Sequence, residues 1–311
     1  MREEEDHQGA LKAVRKPMRK PMLQQILYHM ERALVLDARN AVLRTCCVVL
    51  HFFSSGFIAL IFQRPKHSQV PALYLMAHLA YALIDVIFTI FAFGREKAQI
   101  AREVRSGTSV LAYFCARNAL LLFDNLAYAG ITGWSLAALC RLDADLWLIW
   151  LSSFALLFFS TSFGMVFSAL LEAMEQAVVV ACVLVLMIGG VLSGANPSLP
   201  ELQDAIPGIF NRYYGLPMLS FARWSVMISS VTEWEARDDL PASVSDALLK
   251  AFGYSKEDFG FSCAILFGGG LLLRSLSFCL MAEVRPGDWY RSWIRPKAHK
   301  SRRRRSADTS P

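Results

Sequence analysis

The chain has 311 residues, of which 55% are apolar, 12% aromatic and 19% charged, with a formal net charge of +6. That apolar content exceeds what a water-soluble domain needs for its core, and the charges fall in blocks between long apolar stretches instead of alternating through amphipathic elements. The pattern argues against a water-soluble fold and for lipid as the solvent.

Residues 1–20 carry Lys12, Arg15, Lys16, Arg19 and Lys20 and are expected to form a basic cytoplasmic tail. This charged, Pro-broken stretch precedes any apolar run, so no cleavable signal is expected and the first span does the targeting. Between residues 22 and 39, Leu23, Ile26, Leu27, Met30 and Leu34 recur at helical spacing, while Gln24, Gln25, Glu31 and Arg32 fall elsewhere. An amphipathic helix lying in the inner membrane interface is predicted. Six stretches then suffice to cross about 30 Å of hydrocarbon as helices of about 20 residues. They are residues 42–62, 72–93, 118–140, 146–171, 177–194 and 261–281. The third and fourth are parted only by residues 141–145, and the fourth and fifth by a segment with Glu172 and Glu175, so each pair is expected to form a tight hairpin.

After the second span the sequence turns polar, through Gly94, Arg95, Glu96 and Lys97 to Arg102, Glu103 and the Ser106-Gly107-Thr108-Ser109 stretch. This predicts a helical cytoplasmic hairpin arm broken at Gly107. Between residues 195 and 260, Pro197, Pro200, Pro207 and Pro217 interrupt apolar residues such as Ile206, Ile209, Phe210 and the run 221–227. Short re-entrant helices under a polar outer lid are expected, because broken helices persist at membrane depth only when buried in protein. Residues 284–311, with an arginine run at 302–305, read as a basic, disordered cytoplasmic tail. The expected fold is thus an all-α membrane protein with six transmembrane helices, an N-terminal interfacial helix and outer re-entrant helices.

Lys and Arg collect in the N-terminal segment, in the loop after the second span (Arg95, Lys97, Arg102, Arg105, Arg117) and after the sixth, which places all three and both termini in the cytoplasm. The 195–260 segment, with Glu233, Glu235, Asp238 and Asp239, is expected outside; Arg64 and Lys66 in the first outer loop run mildly against this.

Charges inside spans are costly and are functional candidates by default. Asp85, Asp124 and Arg274 each sit about seven or eight residues above the inner end of their span, about 10 Å at 1.5 Å per residue. Arg274 is therefore expected to pair with Asp85 or Asp124, the alternative being that it reaches the inner headgroups. His51 and His78 read as packed and uncharged. All seven cysteines lie in or beside apolar helices and read as structural, and no C-x-x-C spacing suggests a metal. No metal site, catalytic residue or nucleic-acid partner is expected. Gly194, within Leu192-Ser193-Gly194-Ala195-Asn196, reads as a helix terminator. Gly190 with Gly194, Ser160 with Gly164 and Ala264 with Gly268 allow close helix approach.

Three local patterns follow one another in a telling order: the arm residues Arg95, Glu96, Arg102, Glu103 and Gly107; Arg223-Trp224 after Leu219-Ser220-Phe221; and Gly253-Tyr254 with Phe259 before Gly270, Arg274 and residues 278–281. With the interfacial helix, they resemble the membrane domain of G-subfamily (white-brown complex) ABC transporters of the plant-type branch, an ABC-2 type transporter fold. The resemblance covers roughly residues 21–283, expected to be one transmembrane domain. It implies pairing of two such domains, as a homodimer or a heterodimer with another half-transporter. It implies a shared path lined by the second and fifth spans, for which Tyr81, Phe88, Val183 and Met187 are candidates. It further implies a nucleotide-binding domain, with ATP and Mg, that drives export of lipid-like or amphipathic substrates among the lipids of the plasma membrane.

One departure counts against a self-sufficient transporter. No G-x-x-x-x-G-K-[ST] loop stands in the sequence and no Lys follows a Gly, so the chain itself is expected to hold no cofactor and neither to bind nor to hydrolyse ATP. A stand-alone membrane subunit, a partial gene model and a transport-inactive fragment all fit that departure. A non-ABC channel or carrier would instead need a continuous polar lining or inverted repeats, and an intramembrane enzyme a cluster such as H-E-x-x-H; no such repeat or motif stands out.

Overall fold

The computed structural model describes residues 21–105, 108–205 and 215–283. Gly107, the expected break of the arm, the Ile206, Pro207, Ile209 and Phe210 stretch, and both basic tails lie outside the described residues. Among the described residues every regular element is helical.

Helix α1 (Met22–Arg39) meets α2 (Ala41–Ile61) at Asn40. It buries His29 and Ala33 against the protein and leaves Leu23, Leu27 and Leu34 exposed, so the apolar stripe read from the sequence is free to face lipid. Helix α3 (Val70–Arg105) has 36 residues and α4 (Val110–Cys140) has 31. At 1.5 Å per residue they measure about 54 and 46 Å, well beyond about 30 Å of hydrocarbon. The expected arm is therefore no separate hairpin: it is the continuation of two spans past the membrane. Gly94 does not interrupt α3, because it serves as a point of close approach, where an added Cβ would stand 2.5 Å from Met174 Sδ.

Helix α5 (Leu146–Leu170), N-capped by Asp145, is the centre of the bundle and packs against α3, α4, the outer segment and the last span. Its many small hydroxyl residues make that position tenable. Ser152, Ser160 and Ser162 donate to backbone carbonyls of their own helix, so they present small surfaces without orphaned donors. At Gly164 α5 meets the backbone of α3: a Cβ there would lie 3.0 Å from the Val86 carbonyl oxygen and from Thr89 Cβ. Of the other two pairs, Gly190 touches Leu79 at ordinary contact distance, while Gly268 has open space around it.

Helix α6 (Met174–Leu184) runs on through a π turn (Val185–Gly190) and a 3-10 turn (Val191–Ser193) and stops at Gly194, whose φ of 72° is the left-handed geometry of a helix C-terminus. The outer segment holds α7 (Leu199–Ala205), α8 (Phe221–Ala236) and α9 (Ala242–Phe252), and the last span is α10 (Phe259–Glu283). Helix α8 is buried at every position from Phe221 to Trp234, enclosed by α3, α5 and α10, which is what a short helix within a helical bundle requires.

Glu233, in the segment expected outside, is fully buried and accepts from the backbone N–H groups of Asp143 and Ala144 at 3.3 and 3.1 Å and from Arg237 Nε at 2.9 Å. Arg237 in turn donates to the Pro65 carbonyl, and Trp234 Nε1 to the His67 carbonyl. The outer segment is thus pinned to the α2–α3 loop and to the α4–α5 turn.

Candidate functional site

The arm sorts its charges by face. Residues seven apart on a helix share an azimuth, so Glu96 and Glu103 project from one side of α3 and Arg95 and Arg102 from the adjoining side. Glu103 forms an ion pair with Arg32 of α1 and lies 3.9 Å from His29 Nδ1. Glu96 is buried, accepts from the Tyr113 hydroxyl at 2.8 Å and lies 3.9 Å from Arg117 of α4. Arg95 and Arg102 are exposed. The backbone N–H of Ser109 donates to Gln25 Oε1 at 2.9 Å, which ties the start of α4 to α1 as well. Burial lowers the His29 pKa below its ordinary value; Arg32 adds to that shift while Glu103 and Glu96 oppose it.

From Glu96 the ion pairs continue inward. Arg117, 5% exposed and set over the Phe93 ring, reaches Asp37 of α1 at 3.3 Å. Asp37 lies 3.7 Å from Arg44 of α2, and Arg44 pairs with Asp124 of α4. Four helices are thereby joined by alternating charges, with α1 clasped between the arm and the first span. Beside this network a cavity of about 70 Å³ is lined by Asp37, Arg44, Asp85, Phe88, Asp124 and Asn125, among others. It has room for a few waters, which supplies the polar surroundings that charged groups at this depth need.

The structure contradicts the expected partner of Arg274. Its guanidinium donates to Ser162 Oγ at 2.9 Å and Thr161 Oγ1 at 3.3 Å and lies 4.0 Å from the centroid of the Phe158 ring. Asp124 is taken by Arg44, and Asp85 faces His51 at 3.3 Å. The last span α10 lies chiefly against α5, so Arg274 projects onto α5 hydroxyls instead of the acids of α3 and α4.

The four path candidates separate. Tyr81 is fully buried, hydrogen-bonded to Ser55 at 2.6 Å and stacked on His51, so it packs the interior and lines no open surface. Phe88 lines the inner cavity, while Val183 and Met187 stand more than half exposed on α6. Sequence reading missed Arg32 and Tyr113 as partners of the arm, and Asp37 and Arg44 as the links that carry the ion pairs on to Asp124. It also read Cys47 and His51 separately, although their i, i+4 spacing places them on one helix face, where Asp85 joins them.

Six helices long and apolar enough to cross a membrane, with two of them prolonged into a charged arm, define a multi-pass α-helical membrane protein. Residues 24–206, more than half of the chain, match the ABC-2 type transporter family, and the chain belongs to that family. It is accordingly a transmembrane component of a transporter. No curated protein matches the chain.

Proposed function

We propose that residues 21–283 form the membrane domain of a half-transporter of the G subfamily, plant-type branch, in the plasma membrane with both termini cytoplasmic. It pairs with a second copy or a related half-transporter and moves lipid-like or amphipathic molecules. ATP and Mg are handled by a nucleotide-binding domain outside these 311 residues.

The observation that carries this reading is the clasp of α1 on the arm through Arg32–Glu103 and the Glu96–Arg117–Asp37–Arg44 series. A force applied by a partner at the arm end has a continuous ionic route into the spans, and Arg95 and Arg102 stand exposed at that end to receive one. The exposed apolar stripe of Val179, Val183 and Met187 on α6 suits a dimer partner and amphipathic cargo better than ions or sugars.

Reconstitution tests it. Liposomes containing the chain and a co-purifying ATPase subunit should move fluorescent lipid only with hydrolysable ATP. Arg32→Glu should depress that transport, and Arg32→Glu with Glu103→Arg should restore it. Equal transport by the chain alone without ATP would refute the proposal.

A further inference from the structure

At the wall of the cavity, α2 and α3 bring together three side chains that the transport reading does not use. Cys47 and His51 stand one turn apart on α2, and Asp85 faces them from α3. One ligand atom from each lies within 4.8 Å of the other two, and all three residues are buried. His51 and Asp85 are 0% and 3% exposed.

The hydrogen bonding around His51 is informative. Its Nδ1 lies 2.8 Å from the Cys47 carbonyl oxygen, which can only accept, so Nδ1 carries the ring proton. That leaves the Nε2 lone pair aimed at the Asp85 carboxyl, 3.3 Å away, and neither Nε2 nor Asp85 Oδ2 has a hydrogen-bond partner. Two acceptors set face to face in a buried site are reconciled by a cation between them, either a shared proton or a metal ion. A histidine whose second nitrogen donates to a backbone carbonyl is also the usual arrangement of a metal-ligating imidazole. The Cys47 sulfur, 3.6 Å from His51 Nδ1, adds the soft donor.

We propose that Cys47, His51 and Asp85 bind a divalent transition-metal ion of the zinc type. One nitrogen, one sulfur and one oxygen donor form a three-ligand set that leaves the fourth tetrahedral position open. Bond lengths of about 2.0–2.3 Å imply ligand-to-ligand edges of roughly 3.3–3.6 Å, so binding must draw the three donor atoms, now within 4.8 Å of one another, closer together. On binding, the Cys47 thiol releases its proton, and the thiolate and carboxylate together neutralise the two positive charges of the ion. The bundle therefore holds a net-neutral site instead of an isolated buried carboxylate. Cys47 and Asp85 both line the cavity beside Asp37, Arg44 and Asp124, which gives the ion a polar way in and a water for its open position.

The full chain in detergent, exposed to Co²⁺ or Zn²⁺ and then desalted, should retain about one ion, the cobalt form showing a thiolate-to-metal charge-transfer band and tetrahedral d–d absorption. Cys47→Ser should abolish the charge-transfer band, and Asp85→Asn should weaken retention at least about tenfold. Cys46→Ser, one residue away and exposed, should leave both unchanged. The wild-type spectrum requires no variant to fold. Wild type that retains no ion, so that the pair shares only a proton, overturns the proposal, and so does a charge-transfer band that persists in Cys47→Ser.

Discussion

Replacing Arg117 with methionine is the sharpest test of the charged clasp. The side chain is 5% exposed, stands between Asp37 at 3.3 Å and Glu96 at 3.9 Å, and covers the Phe93 ring, so methionine keeps most of the packing and removes only the charge. Breaking a buried ion pair from one side costs about 3–5 kcal/mol, because a carboxylate is left without its counter-charge. Here the lower end applies: Asp37 still has Arg44 at 3.7 Å, and Glu96 keeps the Tyr113 hydroxyl. A loss of about 3 kcal/mol corresponds to a fall of roughly 6–12 °C in the melting temperature, read as thermal inactivation of the detergent-solubilised chain. Placing Arg117→Met in a Glu96→Gln background should shrink the loss to about 1 kcal/mol, since the stranded acid is then already neutral. If Arg117→Met melts within about 2 °C of wild type, or if the two substitutions simply add, the network does not hold the arm.

Three further outcomes follow from the same packing. Gly164→Ala should destabilise the chain by about 1 kcal/mol, since crowding against the Val86 carbonyl outweighs the gain in helix propensity, whereas Gly268→Ala, with open space around it, should stabilise by up to about 1 kcal/mol; opposite signs in melting temperature are the check. Arg274→Met should change stability by less than about 1 kcal/mol in either direction, because its partners are two hydroxyls and a ring, and no carboxylate is stranded by its loss. Burial depresses the His29 pKa, so the unfolded or undocked segment takes up the proton first as pH falls below about 6.5. Docking of α1 on the arm is then at full strength above that pH and weakens beneath it; amide protection factors along α1, corrected for the intrinsic pH dependence of exchange, should fall between pH 7.5 and 5.5 in wild type and not in His29→Phe.

Hydropathy located all six spans to within a few residues at most ends, because the cost of exposing backbone and charge to lipid acts on the sequence locally. It failed where helix continued into polar sequence. Gly94 and the Arg95–Glu96 pair looked like the end of a span, yet α3 proceeds to Arg105 and α4 begins at Val110, eight residues before the apolar stretch suggested, since α1 supplies Arg32 and Gln25 as partners. The arm residues were legible from composition; which of them face inward was not, since that depends on where α1 lies. Arg274 illustrates the same limit. Residue count fixes depth in the membrane, while azimuth is set by which helix packs beside it. The burial of Glu233 was not legible locally, because the backbone N–H groups it accepts from, at Asp143 and Ala144, are some ninety residues away in sequence.

The unbroken run of α3 from Val70 to Arg105 has a mechanical corollary. Sharp bends in helices arise at internal prolines, bulges or inserted groups, and Pro71 sits in the first turn, where it bends nothing. A shaft of this kind tilts as one piece. Displacement of its Glu103 end therefore swings the opposite end through a pivot near Gly164, and that opposite end leads into the His67 turn gripped by Trp234. A tilt at one end of α3 is thereby carried to the turn at the other, without any change in the helix itself.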